Sequence, residues 1–182
     1  MLIKSSSRSI LFDNNSLSRG QGSHVCGTIV GSCRDNSTSS MNGIAPASKI
    51  SFFDIGDKNG NLQVGKLTDV FNVAYNTGAR VHSNSWGSSN ELYGSMDQEV
   101  DQYMYDHPDF LVLFAAGNSG EDGLSSVGSP GKSKSCVTVG STTVRLDPDD
   151  QLSSQSTVSY FSSLGPTPDG RFVYFFSFVI SF

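Results

Sequence analysis

Charge is scarce in this chain. Its 182 residues carry 12 lysines and arginines against 17 aspartates and glutamates, a net charge of -5. A nucleic-acid surface needs a clustered excess of cations, so the balance argues against that class of partner. Histidine is rare, with His24, His82 and His107 as the full set. Cysteine is equally rare: Cys26, Cys33 and Cys136 are odd in number and irregular in spacing. They form no metal pattern and no disulfide framework. Cys26 reads as a small buried apolar residue and not as a reactive thiol. Whether Cys33 and Cys136 pair is a matter of geometry that spacing leaves open. Long apolar runs are missing too. The first twelve residues hold Lys4, Arg8 and several serines but no apolar stretch, so no export signal is visible there. The apolar end, 172–182, is too short to span a bilayer.

Glycine, by contrast, is plentiful, with 19 residues. Together with many serines and few charges it fits an α/β domain with tight loops. Disorder is excluded by buried-type runs such as Phe110-Leu111-Val112-Leu113-Phe114. The length suits one modest domain.

Along the chain, 1–19 reads as an irregular, polar lead-in. A helix is expected over 24–31 with Ser23 as its N-cap. The Ser- and Asn-rich stretch 32–42 reads as a surface loop. A strand is expected over 49–55 and a turn over 56–60. Leu67, Val70, Phe71 and Ala74 recur at helical spacing, which predicts a helix over 65–77 ending at Gly78. A strand over 80–86 follows. The next helix begins at Ser95, with Gln98 completing a capping box and Met96, Val100, Tyr103 and Met104 on its apolar side. His107-Pro108 stops it. The apolar run 111–116 predicts a strand covered on both faces, and 136–140 a further strand. Strands alternating with helices imply a three-layer α/β fold, a mostly parallel sheet with helices on both faces. Ligands in such sheets bind beyond the carboxyl ends of the strands. Ser85-Trp86-Gly87 and Ala115-Ala116-Gly117-Asn118 lie at two such ends.

Six ordered motifs resemble those of one family. Gly20-Gln21-Gly22-Ser23-His24-Val25-Cys26-Gly27-Thr28 is similar to the histidine motif of subtilisin-like serine peptidases, Gly-His-Gly-Thr/Ser-His-Val-Ala-Gly-Thr. Gly43-Ile44-Ala45-Pro46 resembles a Gly-Val/Met-Ala-Pro segment. Asn84-Ser85-Trp86-Gly87 and Ala115-Ala116-Gly117-Asn118-Ser119-Gly120 follow in family order. The Ser-Pro-Gly within 128–131 and Phe161-Ser162-Ser163-Leu164-Gly165-Pro166-Thr167-Pro168-Asp169-Gly170-Arg171 complete the set. The last motif is most like the branch that carries a C-terminal β-sandwich. The resemblance therefore implies a partial subtilase catalytic domain over 20–171, an incomplete subtilisin-like fold, and an apolar non-family tail over 172–182.

What the resemblance implies for chemistry is specific. Asn118 becomes the oxyanion-hole donor, a fixed amide N–H that stabilises charge on a tetrahedral oxygen. Ser85, Trp86 and Gly87, with Ala115, Ala116 and Gly117, become the edge that pairs with an extended peptide or protein substrate. Gln21 stands at the position of the family's catalytic histidine. A carboxamide accepts no proton from a serine near neutral pH. His24 lies about one helical turn on, and would reach the same nucleophile only if the helix start rotated. His82 and His107 read as structural or surface residues. The family's catalytic aspartate has no counterpart before Gly20; Asp13 lacks the apolar strand and glycine of that setting. Gly-Thr-Ser-Met-Ala does not occur among these residues. The tail, dense in aromatics and free of charge, is an aggregation hazard and is read as the mark of a truncated reading frame.

Two functions follow as expectations. One is a fragment of a serine endopeptidase that is inert as it stands. The other is a non-catalytic peptide-binding module. A nucleotide site at Gly20-x-Gly22 is disfavoured, because the third glycine and a preceding strand are lacking. No cofactor is expected. Calcium is possible by family, with oxygens available in 32–42, but no metal site is assigned. The compartment stays open, since relatives are secreted or lumenal while no leader is visible.

Overall fold

The computed structural model describes residues 2–4, 21–32, 42–57, 59, 61–89, 92–143, 157–172 and 175–179. Asp13, Cys33 and most of the 32–42 loop lie outside the described residues. The chain divides into two compact units, Met1–His82 and Ser83–Phe182.

In the first unit, three strands surround two helices in sequence: β1 Leu2–Lys4, α1 Gln21–Val30, β2 Lys49–Ser51, α2 Leu67–Asn76 and β3 Ala79–Asn84, whose last two residues belong to the second unit. β1 pairs antiparallel with both β2 and β3. β2 and β3 therefore share one direction. The lead-in that reads as irregular thus contributes a strand at Leu2–Lys4, where its backbone finds ladder partners on two sides.

Helix α1 starts at Gln21, so Ser23 is inside the helix and exposed and is not its cap. A Cβ on Gly22 would lie 2.7 Å from the Phe52 ring, so the absence of a side chain is what lets the first turn of α1 sit on Phe52. β2 is shorter than its apolar pattern. Past Ser51 the Asp54 carboxylate accepts the Gly56 N–H at 2.8 Å, a local turn that competes with the ladder. Asp57 similarly accepts Asn59 and Asn61 N–H groups, each at 2.8 Å.

Helix α2 follows its sequence spacing. Leu67, Val70, Phe71 and Ala74 are its buried face. Phe71 meets His82 of β3 edge-on, ring centroids 4.9 Å apart. Burying one such aromatic is worth about 1.5–3 kcal/mol. Asp69 in the first turn complements the helix dipole. The chain then reverses through Thr77 and Gly78, whose φ of 88° suits glycine.

The second unit holds α3 Ser95–Asp106, β4 Leu111–Ala115, β5 Val137–Thr143, β6 Thr157–Val158 and β7 Phe175–Val179. β5 runs parallel to β4 and to β7, while β6 joins it antiparallel. Both units thus follow an α/β plan with a mixed sheet, in which β4, β5 and β7 run parallel while β1 and β6 run against their neighbours. The apolar end supplies β7, which pairs with Thr138, Val139, Gly140, Ser141 and Thr142.

Helix α3 is capped by Asp97, whose carboxylate accepts the Gly94 N–H at 2.9 Å. The third helical residue closes the box, not Gln98. Val100 and Tyr103 are buried as expected, whereas Met96 is 38% exposed. Tyr103 packs edge-on with Phe110, centroids 5.4 Å apart, and stacks with His107. In β4, Val112 and Phe114 are buried, but Leu111 is exposed and Leu113 half-buried. One face of the run is therefore covered among the described residues, and the other only in part. β5 begins one residue later and ends three residues later than its apolar core.

Cys26 and Cys136 are free thiols. Burial pushes the Cys136 thiol up to about 11, the bonds from Thr138 and Ser133 opposing it. Among the described residues no helix is long and apolar enough to cross a membrane.

Candidate functional site

The second unit brings Ser85, Trp86 and Gly87 together with Ala115, Ala116, Gly117 and Asn118. β3 ends at Asn84, and the buried Asn84 donates its Nδ2 to the Leu113 carbonyl of β4 at 3.1 Å. The two strand ends are thereby tied before their loops begin. Trp86 lies edge-on to Phe114, ring centroids 5.3 Å apart, so its ring serves packing at this junction.

A third segment, 128–131, bridges the two loops. Ser88 N donates to Ser129 O at 2.8 Å and Ser129 N to Ser88 O at 3.1 Å. Gly128 N donates to Ala116 O at 3.0 Å. The close approach explains the glycines. A Cβ on Gly87 would lie 3.0 Å from Ser129 O, and one on Gly131 would lie 3.1 Å from Ala115 O. The Ser129-Pro130 peptide bond is cis. Ser129 in turn donates its hydroxyl to Asp97 of α3 at 2.6 Å. Three backbone segments and one helix thus frame this end of the unit.

Asn118 sits on the turn that follows β4. Gly117 has φ of 113°, and a Cβ there would lie 2.8 Å from Ser163 Oγ. Ala116 N donates to Val139 O at 2.8 Å, which carries the β4–β5 ladder up to the turn. Asn118 itself is exposed. An exposed carboxamide beyond the carboxyl end of a parallel strand presents an N–H donor to whatever lies there. It serves an oxygen that gains negative charge better than a neutral one.

Gln21 is the first residue of α1 in the first unit. His24 lies one turn along the same helix and is exposed. His82 is buried against Phe71, and His107 caps α3. Among the described residues no group of three His, Cys, Asp or Glu side chains is placed to hold a metal ion.

Sequence reasoning passed over Asp97, Ser129 and Ser163. Their signals were present: an acid in a helix's first turn, the serine of Ser-Pro-Gly, and the second serine of Phe161-Ser162-Ser163. None announces its partner across the site, because the Asp97–Ser129 and Ser119–Ser163 bonds join residues more than thirty positions apart.

The profile of the Subtilase family matches residues 5–177. The chain belongs to the subtilase family. Two proteins of Dictyostelium discoideum are similar to it. The serine protease/ABC transporter B family protein tagD is 40% identical over 140 residues, which make up 71% of this chain and 8% of that protein. Its counterpart tagA is 35% identical over 152 residues, 80% of this chain and 8% of that protein. The subtilase chain described here therefore spans less than a tenth of those relatives. Tripeptidyl-peptidase 2 of Caenorhabditis elegans is 29% identical over 163 residues, 85% of this chain and 12% of that protein. Among solved structures, sphericase superposes with a TM-score of 0.57 at 23% identity, over 76% of this chain and 43% of that one. The prenylagaramide maturation protease PagA gives 0.51 at 19% identity, over 85% of this chain and 49% of that one. Both likenesses bear on the fold.

Proposed function

We propose that this subtilase chain forms the peptide-pairing and oxyanion-stabilising part of a serine endopeptidase domain, and that it is hydrolytically silent as it stands. The observation that carries the reading is the exposed Asn118 next to the positive-φ Gly117 after β4, with the 128–129 segment bonded to Ala116 on this side and to Ser88, just past the Ser85-Trp86-Gly87 loop, on the other. An extended peptide or protein is the substrate class. Its backbone would lie along Ser85, Trp86 and Gly87 on one side and Ala115, Ala116 and Gly117 on the other, as an added strand does. Asn118 Nδ2 would face the carbonyl oxygen between them.

Silence follows from Gln21. General-base catalysis needs a group whose pKa lies near the working pH, and a carboxamide has none. In subtilisin, loss of the histidine costs roughly a million-fold in turnover. Binding needs no base, so peptide affinity survives where cleavage does not. No cofactor enters this reading.

The test is a pair of measurements on the purified chain. Calorimetry with extended peptides is expected to show binding that weakens on Asn118→Ala. Fluorogenic versions of the same peptides are expected to yield no product above a Gln21→Ala control. Turnover well above that control overturns the silence; absence of any peptide affinity overturns the binding role.

A further inference from the structure

Ser163 is fully buried, with 0% of its surface exposed. Its backbone N–H donates to the Gly117 carbonyl at 3.1 Å. Its Oγ accepts the Ser119 N–H at 3.0 Å. The two bonds fall on the residues immediately before and after Asn118. Between them they fix the peptide planes on both sides of that residue, and so the direction in which its side chain leaves the backbone.

The clamp is itself anchored. Ser162 Oγ accepts the Ser141 N–H of β5 at 3.0 Å. Gly120 N donates to Phe161 O at 2.9 Å. Leu164 N donates to Ser126 Oγ at 2.9 Å, and Ser126 N returns a bond to Leu164 O at 2.9 Å. The segment 161–164 is thus pinned to the sheet and to the loop carrying Asn118 at several points. Gly117 completes the fit, because only a residue without a Cβ leaves room for Ser163 Oγ.

We propose that Ser163 is the positioning residue for Asn118, holding its carboxamide in register with the peptide edge. The proposal rests on the reading of Asn118 as the donor to an oxyanion. Such a donor is effective only when its orientation is settled before the charge arrives. An exposed asparagine on a glycine turn would otherwise lose that order. Ser163 contributes no atom to the ligand; it acts through the backbone flanking Asn118.

The experiment compares two peptides of one sequence, one ending in a free carboxylate and one in a carboxamide, titrated into the chain. The carboxylate stands in for the anionic oxygen. The wild-type chain is expected to prefer it by roughly tenfold, the value of one hydrogen bond to a charged group. Asn118→Ala abolishes the preference. Ser163→Ala is expected to cut it to under about threefold while the carboxamide peptide binds within about twofold of wild type. Ser163→Thr, which keeps the hydroxyl, restores most of it. A preference lost in Asn118→Ala but kept in Ser163→Ala overturns the positioning role and leaves the reading of Asn118 intact. A preference untouched by Asn118→Ala overturns that reading instead. The clamp is then judged without ligand. Nitrogen-15 relaxation of the Asn118 side-chain amide and hydrogen exchange at the Ser119 amide are expected to loosen in Ser163→Ala and tighten again in Ser163→Thr. No change in either signal overturns the proposal. If Ser163→Ala fails to fold, Ser163→Cys, a weak acceptor, takes its place.

Discussion

The Ser129 hydroxyl donates to the Asp97 carboxylate across 2.6 Å, and this bond ties α3 to the segment that bridges the two loops of the site. The same Asp97 oxygen accepts the Gly94 N–H at 2.9 Å. Asp97 is wholly buried. One residue thus caps a helix and holds the segment that bridges the loops after β3 and β4, so folding and the geometry of these loops are coupled there.

Replacing Asp97 by alanine strands the buried Ser129 hydroxyl and the part-buried Gly94 N–H. Each unsatisfied group costs about 1–3 kcal/mol, so Asp97→Ala is expected to lose about 2–4 kcal/mol in urea unfolding. Asp97→Asn keeps an acceptor oxygen for both donors and is expected to lose less than half as much. Equal losses in the two variants would show that the two bonds to this oxygen carry no weight.

Gly117→Ala places a Cβ 2.8 Å from Ser163 Oγ at a residue whose φ is 113°. Backbone strain of this kind costs about 1–3 kcal/mol. The unfolding midpoint is expected to fall accordingly, with a matching loss of peptide affinity. Unchanged midpoint and affinity would contradict the role given to the turn.

Much of this was legible in the sequence. Leu67, Val70, Phe71 and Ala74 marked α2 by spacing alone, because a helix that packs on one face repeats its apolar residues. The run containing Val112 and Phe114 marked β4. The loops after β3 and β4 stood out because a mostly parallel sheet puts its ligand there. Other features were hidden. The pairing of Leu2–Lys4 with β2 and β3 depends on backbone groups far along the chain, and three residues carry no period. β7 was masked by a tail whose aromatic density suggests aggregation; register with Thr138 and its neighbours is a tertiary fact. The early end of β2 lies in the Asp54 turn, where side-chain chemistry overrides apolar pattern. Asp97, Ser129 and Ser163 were readable as residues but not as partners.

Cys136 is buried and its thiol is pushed up to about 11, first by that burial. At pH 8 its thiolate is scarce in the folded state. Site-resolved mass spectrometry after iodoacetamide treatment is expected to find Cys136 unmodified in the native chain and fully modified in urea. The partly buried Cys26 is expected to react first. Rapid native labelling of Cys136 would contradict its packing beneath the 130–133 turn.

Asp169 is held down to about 2, first by its bond from Arg171 Nε at 2.8 Å and next by the Thr167 hydroxyl. A carboxylate depressed on folding adds stability above its unfolded pKa of about 3.9 and loses it as pH falls toward the folded value. The wild-type unfolding midpoint is therefore expected to drop between pH 4 and pH 2. Asp169→Asn is expected to lower the midpoint above pH 4 and to flatten the profile between pH 4 and pH 2, so that the two proteins converge at the acid end. Parallel profiles for the two proteins would show that the ion pair is not formed in solution.

On the function proposed above, this chain pairs with peptides yet does not cut them, because a carboxamide at Gln21 occupies the position of the base. One measurement bears on it most directly: a single extended peptide carrying a fluorogenic scissile bond, followed for binding and for product in the same sample. Saturable binding that weakens on Asn118→Ala, with product formation no faster than in Gln21→Ala, is the predicted result. Product formed well above that control, and lost when Gln21 is replaced, would contradict it.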